Sequence, residues 1–332
     1  MIIPTMTEPE RSQNAGGRNA SSPSEIPRSG WLDVAVRLWR SIKTHELSLI
    51  SAGVAYFAFT GFFPALAALV SIYGLVSDPI EIETSLDFAE SAMPHEVKEL
   101  IQREMIRFTD NRVAGPAAII ASLIAIWGGA KSMVAFMKGL NIVYGETENR
   151  GIIRTRLVAL GLTAGAILFT AILIGLLAVV PPVLKNFVDE SWVKSGINLL
   201  RWPLLFVVIT FALSVLYRFG PNRADARWQW ISAGACLGAV LILILSLSFS
   251  LFLSRVADYS KTYGSLGAVI ALLLWFYFTA TSVLIGGGLN AQLELQTRKD
   301  STTGPPQPMG DRGAFVADNL GASRKNAPAD DS

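Results

Sequence analysis

Six stretches of the chain contain no Asp, Glu, Lys or Arg: Leu47 to Ser77, Val113 to Ala130, Leu157 to Leu184, Trp202 to Tyr217, Trp228 to Ser254 and Thr262 to Leu293. They are 31, 18, 28, 16, 27 and 32 residues long. A helix needs roughly 20 residues to cross ~30 Å of hydrocarbon, so four of the runs are long enough unaided. The second gains length by running past Lys131, whose side chain can snorkel. The fourth gains it by starting near Ile197, with Arg201 and Trp202 at headgroup level. The pattern predicts an all-α polytopic membrane protein, a bundle of six transmembrane helices with spans at about 47–77, 113–137, 157–184, 197–217, 228–254 and 262–293.

The connecting segments add detail. Residues 1–29 and 298–332 are polar and carry Pro23, Pro27, Pro305, Pro306 and Pro308, which predicts two disordered tails around a membrane domain at 30–297. In the long loop 78–112, nine acidic residues stand against four basic ones. Val97, Leu100, Ile101, Met105 and Phe108 recur there at helical spacing, predicting an extracytoplasmic amphipathic helical segment. The N-terminal tail, the even-numbered loops and the C-terminal tail hold 19 of the 28 Lys and Arg residues. By the positive-inside rule both termini face the cytoplasm, across a bacterial inner membrane entered without a cleaved leader. Overall, 51% hydrophobic and 16% charged residues agree with a membrane protein, and the net charge of +2 says little about partners.

Several motifs lie on the spans. The first runs through Gly53, Tyr56, Thr60, Gly61 and Pro64. Its small residues favour close packing and its proline a kink or break, so Tyr56, Thr60 and Pro64 are candidates for a cavity wall. Gly161 with Gly165 and Gly234 with Gly238 are close-packing pairs on one helix face. Lys131 and Lys138 are two turns apart and share a face at the inner membrane boundary, where they could meet lipid phosphates or an anionic substrate. Asn290 is polar near the same boundary and needs either a partner or water. Cys236 is the only cysteine, so there is no intrachain disulfide and no cysteine zinc site.

Four segments together resemble the bacterial YihY/BrkB inner-membrane proteins. They are the Ala-Tyr and later Phe-Pro of the first span, Leu140-Asn141-x-x-Tyr144, Tyr217-Arg218-x-x-Pro221-Asn222-Arg223, and Tyr263-Gly-Ser-Leu-Gly-Ala268 continuing to Leu289-Asn-Ala-Gln-Leu-Glu294. The resemblance extends from about Trp31 to Gln296. It implies an integral inner-membrane protein of unestablished activity, from a family once labelled ribonuclease BN, and adds Asn141, Tyr144 and Arg218 to the candidate lipid-contact or cavity residues. Many relatives carry glutamate before the Leu-Asn pair, where this chain has Gly288.

The residues narrow the function classes. Two histidines, His45 and His95, fall on opposite sides of the predicted membrane, so a metal-dependent nuclease has no cluster to work with. No catalytic residue, cofactor or nucleic-acid partner is expected. None of the six runs holds Asp, Glu or His, which disfavours proton-coupled exchange. Two classes remain: a transporter or translocase of a lipid or another amphiphilic or anionic substrate, and an envelope scaffold that binds other membrane proteins.

Overall fold

The computed structural model describes residues 16–44, 46–73, 116–185, 190–255 and 266–323. Among these residues the chain is all-helical, with an isolated antiparallel bridge between Ala226 and Thr302. A short amphipathic helix, α1 (Arg28–Thr44), precedes six long ones: α2 (Leu47–Tyr73), α3 (Pro116–Tyr144), α4 (Gly151–Lys185), α5 (Glu190–Phe219), α6 (Trp228–Arg255) and α7 (Leu266–Glu294). A single turn, α8 (Phe315–Asp318), lies near the C-terminus. Four described stretches are long and apolar enough to cross a membrane: Gly151–Phe169, Trp202–Phe219, Trp228–Phe249 and Val269–Glu294. Leu47–Phe62 is a shorter apolar helix.

Most of the long helices outrun the uncharged runs that predict them. α4 starts at Gly151 and carries Arg154 and Arg156 on its first turns, while α5 starts at Glu190 and passes through Lys194, Arg201 and Pro203. Charge limits which part of a helix can enter hydrocarbon and leaves its ends free to continue into water or headgroups. α3 likewise continues to Tyr144, which places Lys131 in mid-helix. The break expected at Pro64 does not occur, since α2 is one helix from Leu47 to Tyr73.

Each of the six long helices has one end at a common cap. The starts of α2, α4 and α6 and the ends of α3, α5 and α7 meet there. Leu47, Leu140, Val143, Tyr144, Tyr217, Ala226, Ile231 and Ala291 share one buried cluster, and the Arg150 guanidinium just before α4 donates to the Gly220 carbonyl oxygen, 2.9 Å away. Glu46, at φ 46° in the left-handed region, makes the turn from α1 into α2.

Glycines decide which helices touch most closely. A methyl at Gly61 would lie 2.9 Å from the carbonyl carbon of Gly128, so α2 and α3 approach backbone to backbone. The Gly234/Gly238 pair of α6 behaves as predicted: a methyl at Gly234 would collide with the Gly286 carbonyl and Asn290, and one at Gly238 would lie 2.8 Å from Leu213. The Gly161/Gly165 pair of α4 does not. Among the described residues nothing lies within 4 Å of a methyl built at either position, because both glycines face away from the bundle.

Residues 16–29 and 298–323 of the two tail segments lie folded onto the cap. The Arg298 amide donates to Arg18 O at 2.7 Å, Thr297 Oγ1 to Ala20 O at 2.6 Å, and Gln296 Nε2 to Gly16 O at 2.6 Å. Composition hides this, because the segments are held by backbone and side-chain hydrogen bonds to the helix ends and not by a large apolar core of their own. The acidic loop 78–112, His45 and His95 lie outside the described residues.

Candidate functional site

The ends of α3, α5 and α7 carry the chemistry of the cap. Asn141 is buried on the last turn of α3. Its Oδ1 accepts the Asn222 amide at 2.7 Å and its Nδ2 donates to Glu148 at 3.0 Å. Glu148 in turn binds Arg150 through two oxygens, both at 2.7 Å. The Arg150 hydrogen bond holds the Glu148 carboxyl down at about 2, against the opposing effect of burial. Asn222 closes the circuit by donating from Nδ2 to Thr147 O at 2.7 Å. The loop between α3 and α4 is thereby tied to the loop between α5 and α6.

One residue further, Arg223 meets Glu294, the last residue of α7. The pair is bidentate, with Nη1 to Oε1 at 2.8 Å and Nη2 to Oε2 at 2.6 Å, and the two side chains are 2% and 0% exposed. Ser301 Oγ donates to Glu294 Oε2 at 2.6 Å, and the Arg223 guanidinium lies 5.1 Å from the Tyr144 ring centre. Burial pulls the Arg223 pKa down, but the Glu294 carboxylate outweighs it and leaves the group above its ordinary value. Burying two charges costs several kcal/mol per ion, and a geometry that satisfies both guanidinium ends and both oxygens offsets much of it.

A second ring of contacts caps the C-terminal carbonyls of α7, which no helical amide can reach. Arg37 of α1 donates to Gln292 O at 2.9 Å, Gln292 Oε1 at 2.9 Å and Gln296 Oε1 at 2.7 Å, and Arg18 donates to Leu295 O at 3.2 Å. Cations are favoured at this end of the helix dipole. Burial, with Arg18 nearby, lowers Arg37 to about 10.

The predicted site residues divide into two groups. Asn141, Tyr144, Arg218 and Asn290 belong to the cap and its supports. Asn290 is fully buried: it accepts the Gly234 amide at 2.7 Å and donates to Ile231 O at 3.1 Å, so it links α7 to α6. Arg218 donates to Ala226 O at 2.5 Å and stacks 4.9 Å from the Trp228 ring. Tyr56, Thr60, Lys131 and Lys138 are exposed instead. With α2 and α3 antiparallel and joined through Gly61 and Gly128, helical periodicity turns these four to one side of the pair. Lys131 sits 4.1 Å over the Trp127 ring. The side chain of Pro64 lies outside the described residues.

Glu294 and Arg223 are the residues that sequence reasoning missed, although a signal was present. Each is the last residue of a motif that carries the resemblance, and the two have opposite charge. The motifs from α3, α5 and α7 therefore meet at one place. Residues 38–310 match the family described as Virulence factor BrkB, more than half of the chain. The chain belongs to the BrkB family. Among relatives, this BrkB-family chain is 30% identical over 254 residues to the putative ribonuclease-like protein YfkH of Bacillus subtilis (strain 168), covering 75% of the chain and 90% of that protein. It is 23% identical over 253 residues to a UPF0761 membrane protein of Vibrio atlanticus (strain LGP32), covering 75% of the chain and 79% of the relative. A longer UPF0761 membrane protein of Xanthomonas campestris pv. campestris (strain B100) is 25% identical over 267 residues, which span 77% of the chain and 59% of the relative. No solved structure matches.

Gly288, where the resemblance leads one to expect glutamate, faces Leu38 of α1. A methyl there would lie 2.9 Å from Leu38 and 3.4 Å from Val143. A larger side chain at this position would need the Leu38 side chain to shift.

Proposed function

We propose that this BrkB-family chain is an inner-membrane protein with its cap in the cytoplasm, and that it moves anionic amphiphiles of the phospholipid type along its outer surface without covalent chemistry. The observation that carries this reading is the position of Lys131. It lies thirteen residues before the end of α3, about 20 Å along the helix, yet it is exposed on the outer face beside Tyr56 and Thr60. A lysine at the centre of a membrane helix costs roughly 2.5–3.5 kcal/mol on insertion scales, and an anionic headgroup drawn to it would offset that cost. Lys138, two turns nearer the cap, extends the same strip toward the headgroup region. The cap supports the cytoplasmic assignment, since Arg18, Arg37, Arg150, Arg218, Arg223, Arg227, Arg298 and Arg312 all hydrogen-bond within it.

A route through the middle of the bundle finds less support. Asn141, Tyr144 and Asn290, which would line its inner mouth, are buried among the helix ends. The name of the Bacillus relative suggests ribonuclease action, but the charges of Arg223 and Glu294, and of Arg150 and Glu148, are paired with one another.

The test is leaflet exchange in proteoliposomes, using a head-labelled phosphatidylglycerol whose outer-leaflet signal is bleached chemically. The wild-type protein should speed exchange of this lipid relative to empty vesicles, and Lys131→Leu should slow it at least fivefold. Equal rates in protein-containing and empty vesicles would sink the proposal. A second reading, a scaffold for another membrane protein, is favoured by the open Gly161/Gly165 face of α4, which suits a close-packed helix from a partner. Lys131→Leu would leave such a partner bound.

A further inference from the structure

Helix α1 has two apolar faces, and only one is used inside the molecule. Val34 is fully buried with Ile26, Trp230 and Leu293, and Leu38 packs against the same cluster. The opposite face shows Leu32, Ala35, Trp39 and Lys43, spaced about one turn apart, and Trp31 lies between the two faces, partly exposed. Leu32 is 52% exposed and Trp39 63%, large values for apolar side chains on a helix otherwise docked by hydrogen bonds and packing. Arg28 and Lys43 are exposed and Arg40 is half-buried, and the Lys43 ammonium stands 5.4 Å from the Trp39 ring centre. The acidic residue of the helix, Asp33, is approached by Ser323 of the cap at 3.4 Å.

The depth of this face identifies what covers it. Leu38 meets Gly288, about two turns inside the cap end of α7, so Trp39 lies at a level already within the apolar stretch Val269–Glu294. The apolar helix α2 begins at Leu47, just beyond the turn at Glu46. A tryptophan with a basic neighbour at that level is the composition of a membrane–water interface, where the ring sits among headgroups and the cation reaches phosphate.

We propose that α1 is an in-plane anchor whose Leu32–Ala35–Trp39 face enters the headgroup region of the cap-side leaflet, with Arg28, Arg40 and Lys43 selecting anionic phospholipid. The anchor sets the height and tilt at which the cap meets the bilayer. It stands independently of any lipid movement along α2 and α3.

A nitroxide on Ala35→Cys in a Cys236→Ser background keeps both tryptophans and reports depth from its relative accessibility to oxygen and to a water-soluble nickel chelate. Leu32→Cys on the same face gives a second position, and Gln307→Cys on the cap gives an aqueous reference. In proteoliposomes of phosphatidylcholine, the label at 35 should be several-fold less accessible to nickel than the label at 307, and it should move deeper when phosphatidylglycerol is added. The double variant Arg40→Gln/Lys43→Gln should lose that added depth. A label at 35 and at 32 as open to nickel as the reference would overturn the proposal, and so would one shielded from both reagents, which would mean a protein neighbour. A phosphatidylglycerol response unchanged by the double variant would remove the anionic selectivity.

Discussion

Arg223 has lost nearly all contact with solvent and depends on Glu294 for both ends of its guanidinium. The consequences of mutation are asymmetric. Removing one partner leaves a buried charge without its counter-ion, whereas removing both leaves an apolar gap that can be filled. Arg223→Met should therefore lower the stability of the detergent-solubilised protein by about 3–5 kcal/mol. The double variant Arg223→Met/Glu294→Leu should regain most of that loss. Thermal unfolding followed by a thiol probe at Cys236 reads both, and a double variant as unstable as the single one would show that the pair itself, and not the avoidance of an orphaned charge, holds the cap. Ser301 contributes at the same point, because its hydroxyl fills the remaining lone-pair direction of Glu294.

At the scale of helices, glycine spacing is ambiguous until the neighbours are known. Gly234/Gly238 and Gly161/Gly165 have the same Gly-x-x-x-Gly form, yet one pair lies against α7 and the other faces outward. Gly286→Ala sets a methyl into Tyr217 and the Gly234 carbonyl and should cost about 1–3 kcal/mol of stability, as overpacking does. Gly161→Ala, with open space around it, should be neutral or slightly stabilising through helix propensity. Comparing the two melting temperatures checks the assignment of faces, and a loss at Gly161 as large as at Gly286 would place a partner helix there. The helices themselves were legible because exclusion of charge from hydrocarbon acts locally on each run. Their ends were not, since Arg154, Arg156 and Lys194 can ride on a helix that continues outside the bilayer. The cap was legible only as motifs. Asn290 stood out as a polar residue at a boundary and Asn141 and Tyr144 through the resemblance, but the partners of Asn141 and Asn290 include segments far away in sequence. Arg223 with Glu294 and Arg37 with Gln292 are pairings that no local pattern contains.

For the whole molecule, the cap links sequence ends to membrane topology. Residues 16–27 and 298–323 are hydrogen-bonded to each other and to the same helix ends, so the proposed topology, with both segments on one side of the bilayer, calls for an even number of crossings. Six long helices, each with one end at the cap, would meet that requirement if all of them cross, and so would the four stretches that are long and apolar enough among the described residues. The proposed cytoplasmic side rests on the composition of the cap, because guanidinium groups concentrated at one end of a bundle resist translocation. Gln307 is exposed on this cap, between the Asp300 turn and Arg312. In a Cys236→Ser background, Gln307→Cys should react with a membrane-impermeant maleimide in inverted vesicles and stay unlabelled in intact spheroplasts. Labelling in spheroplasts would place the whole cap outside. The arginines that bind Glu294, Gln292 and the last carbonyls of α7 would then have crossed the membrane before finding those partners, at a cost that the folded cap repays only after insertion is complete.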